Sequence, residues 1–121
     1  MALFFTLPSP SRAAVGPTLA ARILRRDGFA CVYCGAVAEA LEIDHVTPCA
    51  HFPADAPRSV VNDPANLVTA CEHCNGAKGA QDLDGFARMM LGRGIARKII
   101  TAMVRRVRAA TRRPLPPPAD P

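Results

Sequence analysis

Tryptophan is absent from this chain of 121 residues, and its aromatics are five Phe and the single Tyr33. With so few large anchors, one modest core is all that packing can supply, and something besides packing is expected to help hold the fold. Long apolar runs are missing too. The longest uncharged stretches, Met1 to Ser11 and Gly28 to Ala38, reach only eleven residues. A membrane-spanning helix needs roughly 18, so no membrane partner is expected. The apolar start Met-Ala-Leu-Phe-Phe-Thr-Leu-Pro has no basic segment before it. It is not read as a secretory signal, and the cytoplasm becomes the expected location.

Lysine is nearly missing from a basic chain: 13 of the 15 cations are Arg, and the formal charge is +5. Polyanions are therefore plausible partners. The charge is unevenly placed. Residues 1–85 hold six cations against nine anions, net −3, whereas residues 86–121 hold nine against one, net +8. No repeat is evident.

Residues 1–16, with Pro8, Pro10 and Gly16, read as a poorly ordered arm. A helix is expected from about Thr18 to Arg26, after Pro17 and before Gly28. Leu41-Glu-Ile-Asp-His-Val46 and Asn66-Leu-Val-Thr-Ala70 are β-prone. Between them, residues 47–65 form a long proline-containing loop of the kind that is usually functional or disordered. Cys71 to Gly79 reads as a short helix closed by glycine, and a second runs from Asp82 or Asp84 to Leu91. From Ile95 to Arg112 the residues Ile95, Ile99, Ile100, Met103, Val104 and Val107 make an apolar stripe opposite Arg97, Arg105, Arg108 and Arg112. The tail from Pro114 to Pro121 cannot be helical and reads as extended or disordered.

Five cysteines are an odd number for a disulfide framework. Cys31-x2-Cys34 and Cys71-x2-Cys74 are two knuckles, each able to give two thiolates to one tetrahedral ion. Four soft sulfurs suit Zn²⁺, one per chain, and a site closed by four protein ligands is structural rather than catalytic. Its binding free energy, of order 10 kcal/mol in small zinc peptides, becomes folding free energy. Cys49 and His51, in Pro48-Cys-Ala-His51, read as an ordinary loop thiol and loop histidine.

Between and after the knuckles lie Asp44-His45, Asn66-Leu67 and Cys74-Asn75-Gly-Ala-Lys78-Gly79, following Arg25-Arg-Asp-Gly28. In that order these elements resemble the HNH endonucleases of the zinc-knuckle ββα-metal type, over about half of the chain. The resemblance implies a small α+β fold: a ββα-metal core braced by a four-cysteine zinc site, with flanking N-terminal and C-terminal helices. It implies a nuclease domain over residues 17–113, with its core at 25–80 and a basic helical part at 82–113, ahead of a disordered tail at 114–121. By the same resemblance His45 is the general base, Asp44 and Asn75 hold a catalytic divalent metal, and Asn66 supports the loop and orients His45. Asn75 stands where the family often has His, so this is an HNN version, and His73 lies inside the knuckle at a position that does not match.

The chemistry favours these residue types independently. Phosphodiester hydrolysis needs an activated water and relief of charge growing on phosphate and leaving oxygens. A neutral imidazole, with an ordinary pKa of about 6.5, accepts a proton at physiological pH. Amide and carboxylate oxygens are hard donors, so Mg²⁺ or Mn²⁺ is the expected catalytic ion. Adjacent residues of a regular strand point to opposite faces, so Asp44 and His45 need a distortion or a strand end to serve one site. DNA, double-stranded, is the expected substrate, with Lys78, Arg97, Arg105 and Arg108 as phosphate contacts. A homodimer or partner protein is the expected source of specificity. Two other readings stand beside this one: a non-catalytic zinc module that binds nucleic acid or protein, and the same chemistry directed at RNA.

Overall fold

The structure, a computed structural model, describes residues 14–38 and 40–119. Helix α1 (Pro17–Arg26) begins on Pro17, whose fixed φ suits a first helical turn. Its buried residues Ala20 and Ile23 join Val15 and Leu67, with Leu19, Ile43 and Leu115 packed around them. Val15 is thus core, and the ordered fold starts before Pro17, at the end of the segment read as an arm. The remainder of that arm, residues 1–13, lies outside the described residues.

Strands β1 (Leu41–His45) and β2 (Leu67–Cys71) pair antiparallel, with Asp44 opposite Val68 and His45 opposite Leu67. Strand alternation then sorts the side chains. Leu67 faces α1. Val68 and Ala70 face a larger cluster containing Cys31, Tyr33, Phe86, Met103 and Val107. The connection between the strands is the long loop expected, punctuated by single 3₁₀ turns at Cys49–His51 and Pro64–Asn66 and by the one-turn helix α2 (Arg58–Val61).

Helix α3 (Glu72–Lys78) follows β2 directly and ends at Gly79, whose φ of 55° and ψ of −134° are open to glycine alone. Helix α4 (Leu83–Gly92) is capped by Asp82, whose Oδ1 accepts from the Gly85 amide at 2.8 Å. Helix α5 (Arg97–Arg112) buries Met103, Val107 and Ala110, with Ile100 and Val104 partly covered. Burying Met103 and Val107 contributes about 1.5–3 kcal/mol each. The apolar stripe is therefore shifted towards the C-terminus of the helix: Ile95 and Ile99 are exposed, and Ala110 extends the stripe where α5 lies against the Pro64–Asn66 turn.

One expectation, that the proline-rich tail is disordered, needs correction. The proline-rich tail is held in place over residues 114–119. Leu115 packs on the α1 cluster, and Arg22 Nε and Arg25 Nη1 each donate to a tail carbonyl, of Pro116 and Pro117, at 2.7 Å. Proline lacks an N–H but keeps its acceptor, so a helix bearing Arg can strap such a segment down. One arginine of α5 also points inward: Arg106 donates to the Val32 and Tyr33 carbonyls at 2.9 and 2.6 Å, clamping α5 to the first knuckle. Among the described residues no helix is long and apolar enough to cross a membrane. The whole is a small α+β fold, with one two-stranded sheet between helices and the four cysteines gathered at one end of β2.

Candidate functional site

The knuckle cysteines come from two tight turns, one just after α1 and one at the β2–α3 junction. Their Sγ atoms all lie within 4.8 Å of one another, and Cys34 Sγ is 4.0 Å from Cys71 Sγ. A tetrahedral ion with metal–sulfur bonds of about 2.3 Å sets its ligands about 3.8 Å apart, so the cluster has the right size. Within each knuckle the later cysteine's amide donates to the earlier sulfur, at 3.4 Å for Cys34 onto Cys31 and 3.3 Å for Cys74 onto Cys71. Burial pushes the Cys34 and Cys74 thiols up. For Cys31 burial acts the same way, but backbone donors led by the Cys71 and Cys34 amides outweigh it and bring the thiol below its ordinary value. Four sulfurs crowded into one cluster resist becoming four thiolates without a cation between them, which is how a metal becomes coupled to folding. The donor set fits Zn²⁺. Cys49 stands outside the cluster, and His51 and His73 are both exposed.

The sulfur cluster connects to the polar residues beside it through Tyr33. This residue lies between Cys31 and Cys34 in the sequence and its side chain is buried, with its ring edge-on to Phe86 at 5.6 Å. Its hydroxyl donates to Asp44 Oδ2 at 2.5 Å. Burial, then the charge of Asp44, pushes the phenol far above its ordinary range. Tyr33 is therefore a fixed donor.

Lys78 reaches Asp44 from α3. Its Nζ lies 3.0 Å from Asp44 Oδ2 and donates to the His45 carbonyl at 2.9 Å. Burial pushes the Asp44 carboxyl up, and Lys78 and Tyr33 act against that shift. One turn earlier on α3, Asn75 Nδ2 donates to Glu42 Oε1 at 2.5 Å. Glu42 and Asp44 are two apart on β1, so both look towards α3. The structure thereby brings Asp44 and Asn75 to one face of β1, beside the sulfur cluster.

His45 is elsewhere. The strand stays regular to its last residue, and the imidazole lies on the opposite face from Asp44, at the strand end, with Nε2 2.6 Å from Asn62 Oδ1. Asn66 does not touch the ring. Its Oδ1 accepts from the Thr47 amide at 2.8 Å, and its Nδ2 donates to the Thr47 and Val61 carbonyls at 3.1 and 2.9 Å. Asn66 thus ties the two ends of the long loop together, while contact with His45 falls to Asn62.

The cations also sort differently from the sequence reading. Lys78 is 1% exposed, so it is an internal partner of Asp44 and not a surface for phosphate. The reason is its place on α3, facing β1 across a carboxylate that needs a countercharge. The side chains of Arg97, Arg105 and Arg108 are exposed and make no hydrogen bond or ion pair among the described residues.

With this geometry in place, the comparisons with known proteins are informative. The family model described as HNH endonuclease matches residues 31–81. Residues 31–81 are similar to the HNH endonuclease family. That match begins at the first knuckle and ends just past Gly79, and it holds β1, β2 and α3 in the ββα order. Helices α1, α4 and α5 flank the matched segment. A solved structure, the crystal structure of the Type II-C Cas9 enzyme from Actinomyces naeslundii, is similar at 23% identity and a TM-score of 0.46, over 91% of this chain and 12% of that one. The chain thus spans about an eighth of that protein's length. No curated protein matches it.

Sequence reasoning missed Tyr33, Glu42 and Asn62. The only sign for Tyr33 was that the chain's single tyrosine stands inside a knuckle. Glu42 carried the two-residue spacing from Asp44. Asn62 had no sign at all, because its partner lies across the loop.

Proposed function

We propose that the HNH domain is a metal-dependent endonuclease that hydrolyses phosphodiester bonds in double-stranded DNA, with His45 as general base and a single divalent ion. The observation that supports this most is the division of β1: an imidazole on one face of the strand end, and a carboxylate beside an amide on the other. In-line displacement at phosphorus places the attacking water and the leaving oxygen on opposite sides of the phosphate. A phosphodiester lying across the end of β1 meets a base on one side and oxygen donors on the other without any distortion of the strand.

Asp44 and Asn75 offer hard oxygens on one face, a donor set that fits Mg²⁺ or Mn²⁺ with positions left for water and phosphate. Such an ion, when bound, neutralises charge growing on the phosphate and the departing 3′ oxygen. His45 takes the proton of the attacking water. Tyr33 and Lys78 hold Asp44 in place, and Lys78 also fixes the His45 carbonyl. The four cysteines hold Zn²⁺ and brace the scaffold; a reducing compartment such as the cytoplasm keeps their thiols available. Arg97, Arg105 and Arg108 contact backbone phosphates, the nuclease unit covers residues 17–113, and a second copy or a partner protein supplies target choice.

One observation favours a second reading. The Asp44 carboxylate already has a cation, Lys78, at 3.0 Å, as expected of a zinc module that binds nucleic acid or protein without cutting. Incubating the purified protein with plasmid DNA and Mg²⁺ or Mn²⁺, beside His45→Ala, separates the two. Cleavage that EDTA abolishes and that His45→Ala lowers by about 10²-fold or more supports the nuclease. Binding without cleavage supports the module, and faster turnover of RNA than DNA would redirect the substrate.

A further inference from the structure

Asn62 caps the one-turn helix α2, is 6% exposed, and has both ends of its side-chain amide engaged. Nδ2 donates to the carbonyl of Ala14 at 2.8 Å, 48 positions earlier in the chain. A backbone carbonyl only accepts, so the NH₂ end must face it and Oδ1 must face His45. Oδ1 also only accepts. The ring nitrogen 2.6 Å away, Nε2, therefore carries the hydrogen. A neutral imidazole has one N–H, which leaves the lone pair on Nδ1.

We propose that Asn62 is the positioning residue for His45: it fixes the Nε2–H tautomer and aims Nδ1 as the proton acceptor. This rests on the reading of His45 as base. The amide is itself braced. Its backbone N–H donates to Arg58 O at 2.8 Å, and Asn66 grips the neighbouring Val61 carbonyl at 2.9 Å. Asn66 thus acts on the ring at one remove, through Asn62. Ala14, in turn, lies before α1 and outside residues 31–81, so the flanking segment takes part in setting the base.

Without the Oδ1 acceptor the ring is free to rotate and to exchange tautomers, and only a fraction of molecules present a lone pair in the right place. The test begins with the unaltered full-length, zinc-loaded protein. Ring ¹⁵N spectra, with His45 assigned by its disappearance in His45→Ala, are recorded at a pH where the imidazoles are neutral. The expected signature is an N–H nitrogen at Nε2 and a lone-pair nitrogen at Nδ1. A dominant Nδ1–H ring, or an even mixture, would overturn the proposal with no variant needed. Asn62→Leu, close in volume but without an acceptor, is expected to shift the ring towards a mixture. It is also expected to lower kcat for plasmid cleavage about tenfold with KM unchanged, in the range that outer partners of functional imidazoles usually show. In a His45→Ala background the same change is expected to have no further effect. An unaltered tautomer in Asn62→Leu, or an equal loss in both backgrounds, would overturn the assignment. Full activity in His45→Ala would instead remove the reading of His45 as base and leave the tautomer measurement standing.

Discussion

Two buried carboxylates stand next to the small sheet, each with a cation, and they differ in how completely they are enclosed. Asp27, at the outer edge of β2, accepts from Arg26 through both its oxygens, at 2.8 and 3.2 Å, and from the Thr69 amide at 2.8 Å. Arg26 also donates to the Pro64 and Leu67 carbonyls, at 2.9 and 2.6 Å. Those side chains are 1% and 0% exposed, so every polar atom is committed to joining α1 to β2. Asp44 has Lys78 and Tyr33, but both meet the same oxygen, Oδ2, and its side chain remains 10% exposed beside Asn75. A saturated ion pair fastens elements together; a carboxylate paired through one oxygen leaves the other for the divalent ion proposed above. Burial alone does not distinguish the two.

The comparison can be broken in several ways, and the largest effect comes from the support beneath Asp44. Cys71→Ser removes a sulfur of the cluster while leaving a residue able to cap α3, and the loss is expected to approach the roughly 10 kcal/mol of a structural zinc site. Elemental analysis and circular dichroism are expected to show less than one zinc per chain and an unfolded domain; a stable, zinc-free protein would refute the framework. Next in size is Arg26→Met, which strands Asp27 without its cation. A cost of about 3–5 kcal/mol is expected in urea unfolding, and the cleavage rate per folded molecule is expected to stay unchanged. A rate that falls with stability would mean that the enclosed pair also serves the site. Smallest is the triple change of Arg97, Arg105 and Arg108 to Gln. Exposed charges without partners contribute little to stability, so unfolding is expected to move by no more than about 0.5 kcal/mol. The slope of log affinity for duplex DNA against log salt is expected to flatten by about 0.9 for each phosphate that is no longer neutralised. An unchanged slope would move the DNA surface elsewhere.

The fold and the site were not equally legible in the sequence. Strand and helix positions follow from short-range signals, such as the β-branched Ile43 and Val46, Asp82 as cap and Gly79 as stop, and these lie close to their elements in the structure. Knuckle spacing showed the sulfur cluster because two thiolates three positions apart reach one point. Hydrophobic period overextended α5, since Ile95 and Ile99 continue the stripe past the edge of the core. Polar partners were not legible. Lys78 read as a surface cation and Arg106 as nothing in particular, yet both are turned inward by contacts that depend on where α3 and α5 dock. Asn62 and Asn66 are four residues apart with the same side chain, and only the closed loop decides which of them meets His45. The tail was misjudged for a related reason: a proline-rich segment has no donors of its own, and the donors that hold it are Arg22 and Arg25 on α1.

The most direct measurement compares Asp44→Asn with Asp27→Asn, scoring Mg²⁺-dependent plasmid cleavage per folded, zinc-loaded molecule. Asp44→Asn is expected to fall by about 10²-fold or more, because it weakens the carboxylate ligand proposed to hold the divalent ion. Asp27→Asn is expected to unfold more easily yet cut at the unaltered rate. Equal cleavage by the two variants would contradict the assignment of the chemistry to the Asp44 side of the hairpin.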